Sequence, residues 1–264
     1  MIEIIFACIL LGMAAGFLAG LFGIGGGIII VPALVLLYSA QSFPENLVLI
    51  MSIATSLATI IFTSITSVLA HHRLGSVIWP KVYRLAPGVM LGASVGAVVA
   101  DHIAAGLLRV IFIGYLLYVG VQMARQDKPK PGRLPSSIGL DFGVAVIIGL
   151  MSSLVGIGGG TLTVPFLVHF QTPMRNAVAI ASACGLPIAV AGTLSYAILG
   201  RNALHLPDWS VGYIYLPAFL AILLGSISTV SIGARLANRL PAQKLKRYFS
   251  LLIFVMAVKL MVLN

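Results

Sequence analysis

Charge is scarce in this sequence. Only 8% of its 264 residues are charged, against roughly 25% in an ordinary soluble domain. That is too little to coat a water-facing surface on a chain that is 60% hydrophobic. A soluble globular fold is therefore excluded, and lipid is the remaining solvent. Acidic residues are scarcest, six in all: Glu3, Glu45, Asp101, Asp127, Asp141 and Asp208. None falls in the middle of an apolar run, which argues against the buried carboxylate relay of many proton-coupled carriers. The two cysteines, Cys8 and Cys184, lie inside apolar segments. They form neither a disulfide framework nor a CxxC metal site. HExxH, GxSxG and paired intramembrane carboxylates are also missing, so the sequence predicts no enzyme, no metal and no cofactor.

What the chain has is apolar runs, at about 4–21, 26–38, 47–70, 82–100, 106–124, 138–155, 159–170, 177–199, 211–233 and 248–263. Most are long enough for a helix to cross about 30 Å of hydrocarbon at 1.5 Å per residue. The runs 26–38 and 159–170 are too short and read as half-helices or arms of re-entrant hairpins. The first run has an acidic start, Met1-Ile2-Glu3, unlike a signal peptide.

The chain repeats itself. Residues 16–34, GFLAGLFGIGGGIIIVPAL, and 149–167, GLMSSLVGIGGGTLTVPFL, share ten of 19 positions. Ile53-Ala54-Thr55 also matches Ile180-Ala181-Ser182. Between the halves, residues 124–137 hold three prolines and five charged residues, and so read as a loop. This divides the chain into an N-terminal repeat (1–124), a cytoplasmic linker (125–137) and a C-terminal repeat (138–264), all in one transmembrane domain.

The net charge of +10 reports topology, because the basic residues sit in short gaps between apolar runs; nucleic acid is not an expected partner. If the chain turns at each glycine run, thirteen of the sixteen Lys and Arg fall on one side. Only Arg109, Arg201 and Lys259 fall on the other. Eight simple crossings would leave no such bias. The positive-inside rule then predicts inverted halves with both termini outside the cytoplasm. The expected fold is an all-α integral membrane protein of two inverted-topology repeats. Each has about five hydrophobic segments, with glycine-broken half-helices at the repeat interface.

The chemistry is expected at those breaks. Glycine runs interrupt helices, and broken backbone inside a membrane is tolerated only where protein or a water-filled cavity covers it. Matched interruptions in two inverted halves point to a transporter's central site. The first amides of the following half-helices lack helical partners and carry partial positive charge, which suits an anion. The candidate ligands are Gly23, Gly25, Gly26 and Gly27 in the first run, and Gly156, Gly158, Gly159, Gly160 and Thr161 in the second. Hydroxyls can donate to an anion without fixed charge. Ser52, Thr55, Ser56 and Thr59 share one helical face by their spacing, and Ser182 and Cys184 lie in the matching segment. Each feature has a plainer use, since glycines also let helices pack closely and hydroxyls bond between helices.

At GLFGIGGGIIIVP (20–32) and LVGIGGGTLTVP (154–165) the chain resembles the TauE/SafE family of sulfite exporters. The turn His71…Gly75 and the basic-then-apolar C-terminus extend the likeness over the whole chain. The resemblance implies export of sulfite or an organosulfonate such as sulfoacetate. Uptake of thiosulfate or another sulfur anion, and an anion channel, stay open. The expected setting is the bacterial inner membrane, multi-pass. The expected partners are a small anion and the lipid bilayer, and a homodimer is compatible with the sequence.

Overall fold

A computed structural model describes residues 2–22, 26–41, 43–125, 137–237 and 242–262. The described chain is an all-α membrane protein with ten helices. They are α1 (Ile2–Phe22), α2 (Gly27–Ala40), α3 (Glu45–Arg73), α4 (Trp79–His102), α5 (Ala105–Arg125), α6 (Ile138–Val155), α7 (Gly160–His169), α8 (Met174–Leu199), α9 (Leu216–Ala237) and α10 (Ala242–Val262). Five, α3, α4, α5, α6 and α8, are long and apolar enough to cross a membrane. The helices α2 and α7, with 14 and 10 residues, span only about 21 and 15 Å at 1.5 Å per residue. They are half-length pieces, as the short apolar runs imply. Most of the expected linker, residues 126–136, lies outside the described residues.

Local chemistry sets the ends. Glu45 opens α3, and His71, His72 and Arg73 close it, each sign favourable to the helix dipole at its own end. Ser137 caps α6 by accepting from the Leu140 amide at 3.3 Å. Gly156, left-handed at φ 73°, ends α6, and the Ile157 amide folds back to the Ser152 carbonyl at 2.9 Å. One boundary differs from the sequence reading. The run 211–233 does not begin as helix. A two-stranded hairpin, β1 (Ser210–Val211) and β2 (Ile214–Tyr215), turns at left-handed Gly212 and precedes α9. Its Val211 and Ile214 adjoin the apolar helix behind it, so hydropathy alone merges the two.

The helices α3 and α8 form the centre. Every residue of α3 from 47 to 60 is buried. They cross antiparallel, with Gly185 beside Ser64 and Gly192 beside Leu57. Outside them, α1 packs on α9 and α4 on α6. Both contacts are made of small residues. Gly88, Gly92 and Gly96 of α4 lie against α6, where Gly149 returns the contact; Gly12 of α1 meets Gly225 on α9, and Gly16 lies against Ser226. A Cβ at Gly92 would overlap the Val146 carbonyl, so the backbones touch. In both pairs the contacts advance together along the two helices, which therefore run in the same direction. The helices α5 and α10 pair antiparallel: the Ser250 hydroxyl donates to the Gly120 carbonyl at 2.9 Å, and Arg109 donates to the Leu260 carbonyl.

The connections gather at two ends. At one, Arg175 donates to Ser76 Oγ (2.8 Å) and the Leu74 carbonyl (3.0 Å), and Lys81 Nζ donates to Thr172 (2.9 Å). At the other, Tyr213 donates to the Asp101 carboxylate at 2.6 Å. Burial, reinforced by that carboxylate, pushes the Tyr213 phenol up and keeps it protonated. Phe43 there meets Tyr215. Tyr213 and Tyr215 turn inward, each only 7% exposed. Trp209, at 73%, remains at the surface.

Candidate functional site

The two half-helices begin alike. Gly26 precedes α2 at φ 75°, ψ −16°, and Gly159 precedes α7 at φ 75°, ψ −10°. This left-handed geometry costs an ordinary L-residue roughly 1–2 kcal/mol. The Gly26 carbonyl accepts from Ile29 (3.1 Å) and Ile30 (3.2 Å); the Gly159 carbonyl accepts from Leu162 (3.1 Å) and Thr163 (2.9 Å). Pro32 and Pro165 each stand at the sixth helical residue. Lacking N–H, they leave the carbonyls of Ile28 and Thr161 without the usual helical donor. Amides and carbonyls are thus both under-bonded at the start of each half-helix.

The two breaks also meet. A Cβ on Gly27 would overlap the Gly156 carbonyl oxygen and lie 3.1 Å from the Ile157 Cα. The Ser56 hydroxyl donates to that same carbonyl at 2.9 Å. Gly23 and Gly25 lie outside the described residues.

The expected hydroxyls divide by what they bond. Ser52 donates back to the Val48 carbonyl (2.7 Å), and Thr59 to that of Ser56 (2.7 Å). Thr55 accepts from the Tyr215 amide (3.1 Å) and the Tyr38 hydroxyl (3.4 Å). Thr161 shares a hydrogen bond with Tyr115. Cys184 is fully buried. Ser182 is different: it is 5% exposed, and its hydroxyl has no hydrogen-bond partner. The hydroxyls of Ser152, Ser153 and Thr163, on the two helices flanking the second break, are buried and unpartnered too. Leaving a buried polar group unpaired costs about 1–3 kcal/mol, so such a concentration calls for a functional account.

Ser182 opens into a cleft shared with Ala19, Thr63, Ser64, Ser67, Gly158 and Gly185. Its volume is about 10 Å³, close to the minimum that admits one water. Two glycines make this room. A Cβ on Gly185 would stand 3.0 Å from both the Gly158 carbonyl and Ser64 Oγ. Among the described residues, no ionisable side chain lines the cleft. Sequence reasoning stopped short of Thr63, Ser64 and Ser67; extending the Ser56–Thr59 stripe by further helical turns reaches Thr63 and Ser67. Gly185 carried no comparable signal.

Beyond Thr55, toward the hairpin end, lies a separate open cavity of about 1040 Å³, lined in part by Ser39, Phe43, Glu45, Asn46, Arg109 and Phe112.

The sequence profile described as "Sulfite exporter TauE/SafE" matches residues 8–260. The chain belongs to this family. A probable membrane transporter protein of Haemophilus influenzae is 36% identical over 261 residues, covering 98% of this chain and 99% of its own. A probable membrane transporter protein of Methanocaldococcus jannaschii is 25% identical over 261 residues, covering 95% and 92%. Another, YunE of Bacillus subtilis, is 27% identical over 215 residues, covering 73% and 78%. No solved structure matches. Family, relatives and apolar helices together make this TauE/SafE chain a multi-pass membrane transporter.

Proposed function

We propose that this transporter exports a small sulfur-containing anion, sulfite or an organosulfonate such as sulfoacetate, by alternating access between two inverted halves. The observation that carries the reading is the unpartnered Ser182 hydroxyl, buried beside the second glycine break where two glycines leave room. Among the described residues the cleft offers hydroxyl donors and no fixed charge, so the anion is held by dipoles and can leave again. Membership of a family described as sulfite exporters supports the cargo class. Bare amides at the starts of α2 and α7 supply further donors. The glycines of both runs and the Ser52–Thr59 hydroxyls form or support the same centre.

Helix directions support the inverted arrangement. The helix α4 ends beside Tyr213, in the hairpin from which α9 departs. These two helices therefore run oppositely, and so do their parallel partners α6 and α1. Charge supports the orientation. Arg73, Lys81, Arg84 and Arg175 lie at the end that the positive-inside rule assigns to the cytoplasm. Both termini are then outside it, in a bacterial inner membrane. Export needs no carboxylate relay, because a negative interior drives each anionic charge outward with about 2.3 kcal/mol per 100 mV.

Two measurements test this. Thermal-shift titration of purified protein should show stabilisation by sulfite or sulfoacetate; a response to thiosulfate alone would favour the uptake reading. In proteoliposomes with the potential clamped by valinomycin, sulfite efflux should rise with voltage. Voltage-independent flux would sink charge-driven export.

A further inference from the structure

We propose that Tyr38, Phe43 and Tyr215 form the gate that closes the binding centre toward the hairpin end, with Thr55 as its latch. This rests on the alternating-access part of the reading above and is independent of the anion's identity.

The observation is an asymmetry between equivalent positions. Thr55 and Ser182 occupy corresponding places in the two halves, each after Ile-Ala. Ser182 has no partner and faces a cleft. Thr55 is fully buried, holding the Tyr215 amide at 3.1 Å and the Tyr38 hydroxyl at 3.4 Å. Above it three rings close on one another. Tyr38 stacks on Phe43 with centroids 5.0 Å apart, and Tyr215 meets both edge-on, at 5.7 and 5.4 Å. Stacked and T-shaped pairs at these separations are attractive and specific in geometry.

The rings come from three separate places: the last turns of α2, the α2–α3 corner and strand β2. Each can move relative to the others without breaking a helix. Phe43 also lines the 1040 Å³ cavity, so the ring cluster separates that cavity from the hydroxyls below. Tyr38 rides on α2, whose other end is the first glycine break. A shift of this short helix therefore moves the gate and the break together. The cleft at Ser182 is lined by α3 and α8 residues, Thr63 to Ser67 and Ser182 to Gly185, toward the Arg73–Arg175 end of those helices. In the conformation seen here, the hairpin side carries the closed ring cluster, while the Ser182 cleft lies toward the opposite end, where the Arg175 and Lys81 hydrogen bonds join the connections.

The test uses the full chain in membrane vesicles of both orientations, with Cys8→Ala, Cys184→Ala and Ser182→Cys. A charged, membrane-impermeant methanethiosulfonate is the probe. With intact rings, the introduced thiol should react faster from the Arg175 end than from the hairpin end. Phe43→Ala should speed labelling from the hairpin end about ten-fold, equivalent to about 1.4 kcal/mol, and leave the other rate unchanged. Thr55→Val, which keeps the shape and removes the latch acceptor, should act in the same direction. It decides the matter if Phe43→Ala fails to reach the membrane. Equal labelling from both ends before any gate substitution overturns the proposal. So does an unchanged hairpin-side rate in Thr55→Val while the opposite rate shows the chain intact. Protection of the thiol by sulfoacetate, whose sulfonate does not react with the probe, is a separate arm: its absence, with the gate effect present, counts against the substrate and not the gate.

Discussion

The Ser56 hydroxyl donates to the Gly156 carbonyl across 100 residues of sequence, at 2.9 Å. It binds a long helix of the first half to the broken backbone of the second. The carbonyl would otherwise be a buried acceptor at the end of α6. Ser56→Ala should therefore lower stability by about 1 kcal/mol, toward the low end of the 1–3 kcal/mol range for an orphaned acceptor because membrane hydrogen bonds average less. Thermal unfolding in detergent reads this as a lowered midpoint; an unchanged midpoint would mean the bond contributes nothing.

Gly27 and Gly114 should respond oppositely to alanine. A Cβ at Gly27 strikes the Gly156 carbonyl, and the backbones on both sides leave little room to yield. Gly27→Ala should abolish flux. A Cβ at Gly114 meets nothing within 4 Å. Gly114→Ala should keep full flux and gain up to about 1 kcal/mol of helix propensity. Comparable flux in the two variants would remove the tight contact between the breaks.

Gly26 and Gly159 share a positive φ of 75°, so both oppose a side chain by conformation before any clash. Substitution by valine at either position should stop transport while some protein still reaches the membrane. The strain adds roughly 1–2 kcal/mol, and at Gly159 the Ile188 Cδ1 would stand 2.6 Å from the new Cβ. Normal transport by both variants would reduce the glycines to packing.

Ser182→Ala separates binding from folding. Its hydroxyl bonds nothing among the described residues, so removing it should leave the unfolding midpoint unchanged or raised. Sulfite flux should fall by about 10- to 150-fold, the effect of losing one hydrogen bond to a charged ligand worth roughly 1.5–3 kcal/mol. A stability loss without a flux loss would make Ser182 a structural residue.

Much of this was legible in one dimension. Ten apolar runs became ten helices with ends mostly within a few residues, because lipid demands internal backbone bonding and helices supply it. The glycine runs marked the second break and the start of α2 directly. The close packing of Gly88, Gly92 and Gly96 against α6 emerged only in the fold. The hairpin at 210–215 escaped because Val211 and Ile214 continue the hydropathy of the helix behind it, and its tyrosines turn inward.

The sequence by itself determined that the chain lives in lipid, that it is duplicated, and where its helices break, because these follow from hydropathy, repetition and the backbone freedom of glycine. The tertiary structure decided which hydroxyl is free. Thr55 and Ser182 are near-equivalent in sequence, but one is held by Tyr38 and Tyr215 and the other has no partner. Hydrogen bonding between distant segments depends on distances that no local pattern encodes, so the asymmetry of the site emerges only when the two halves are packed together.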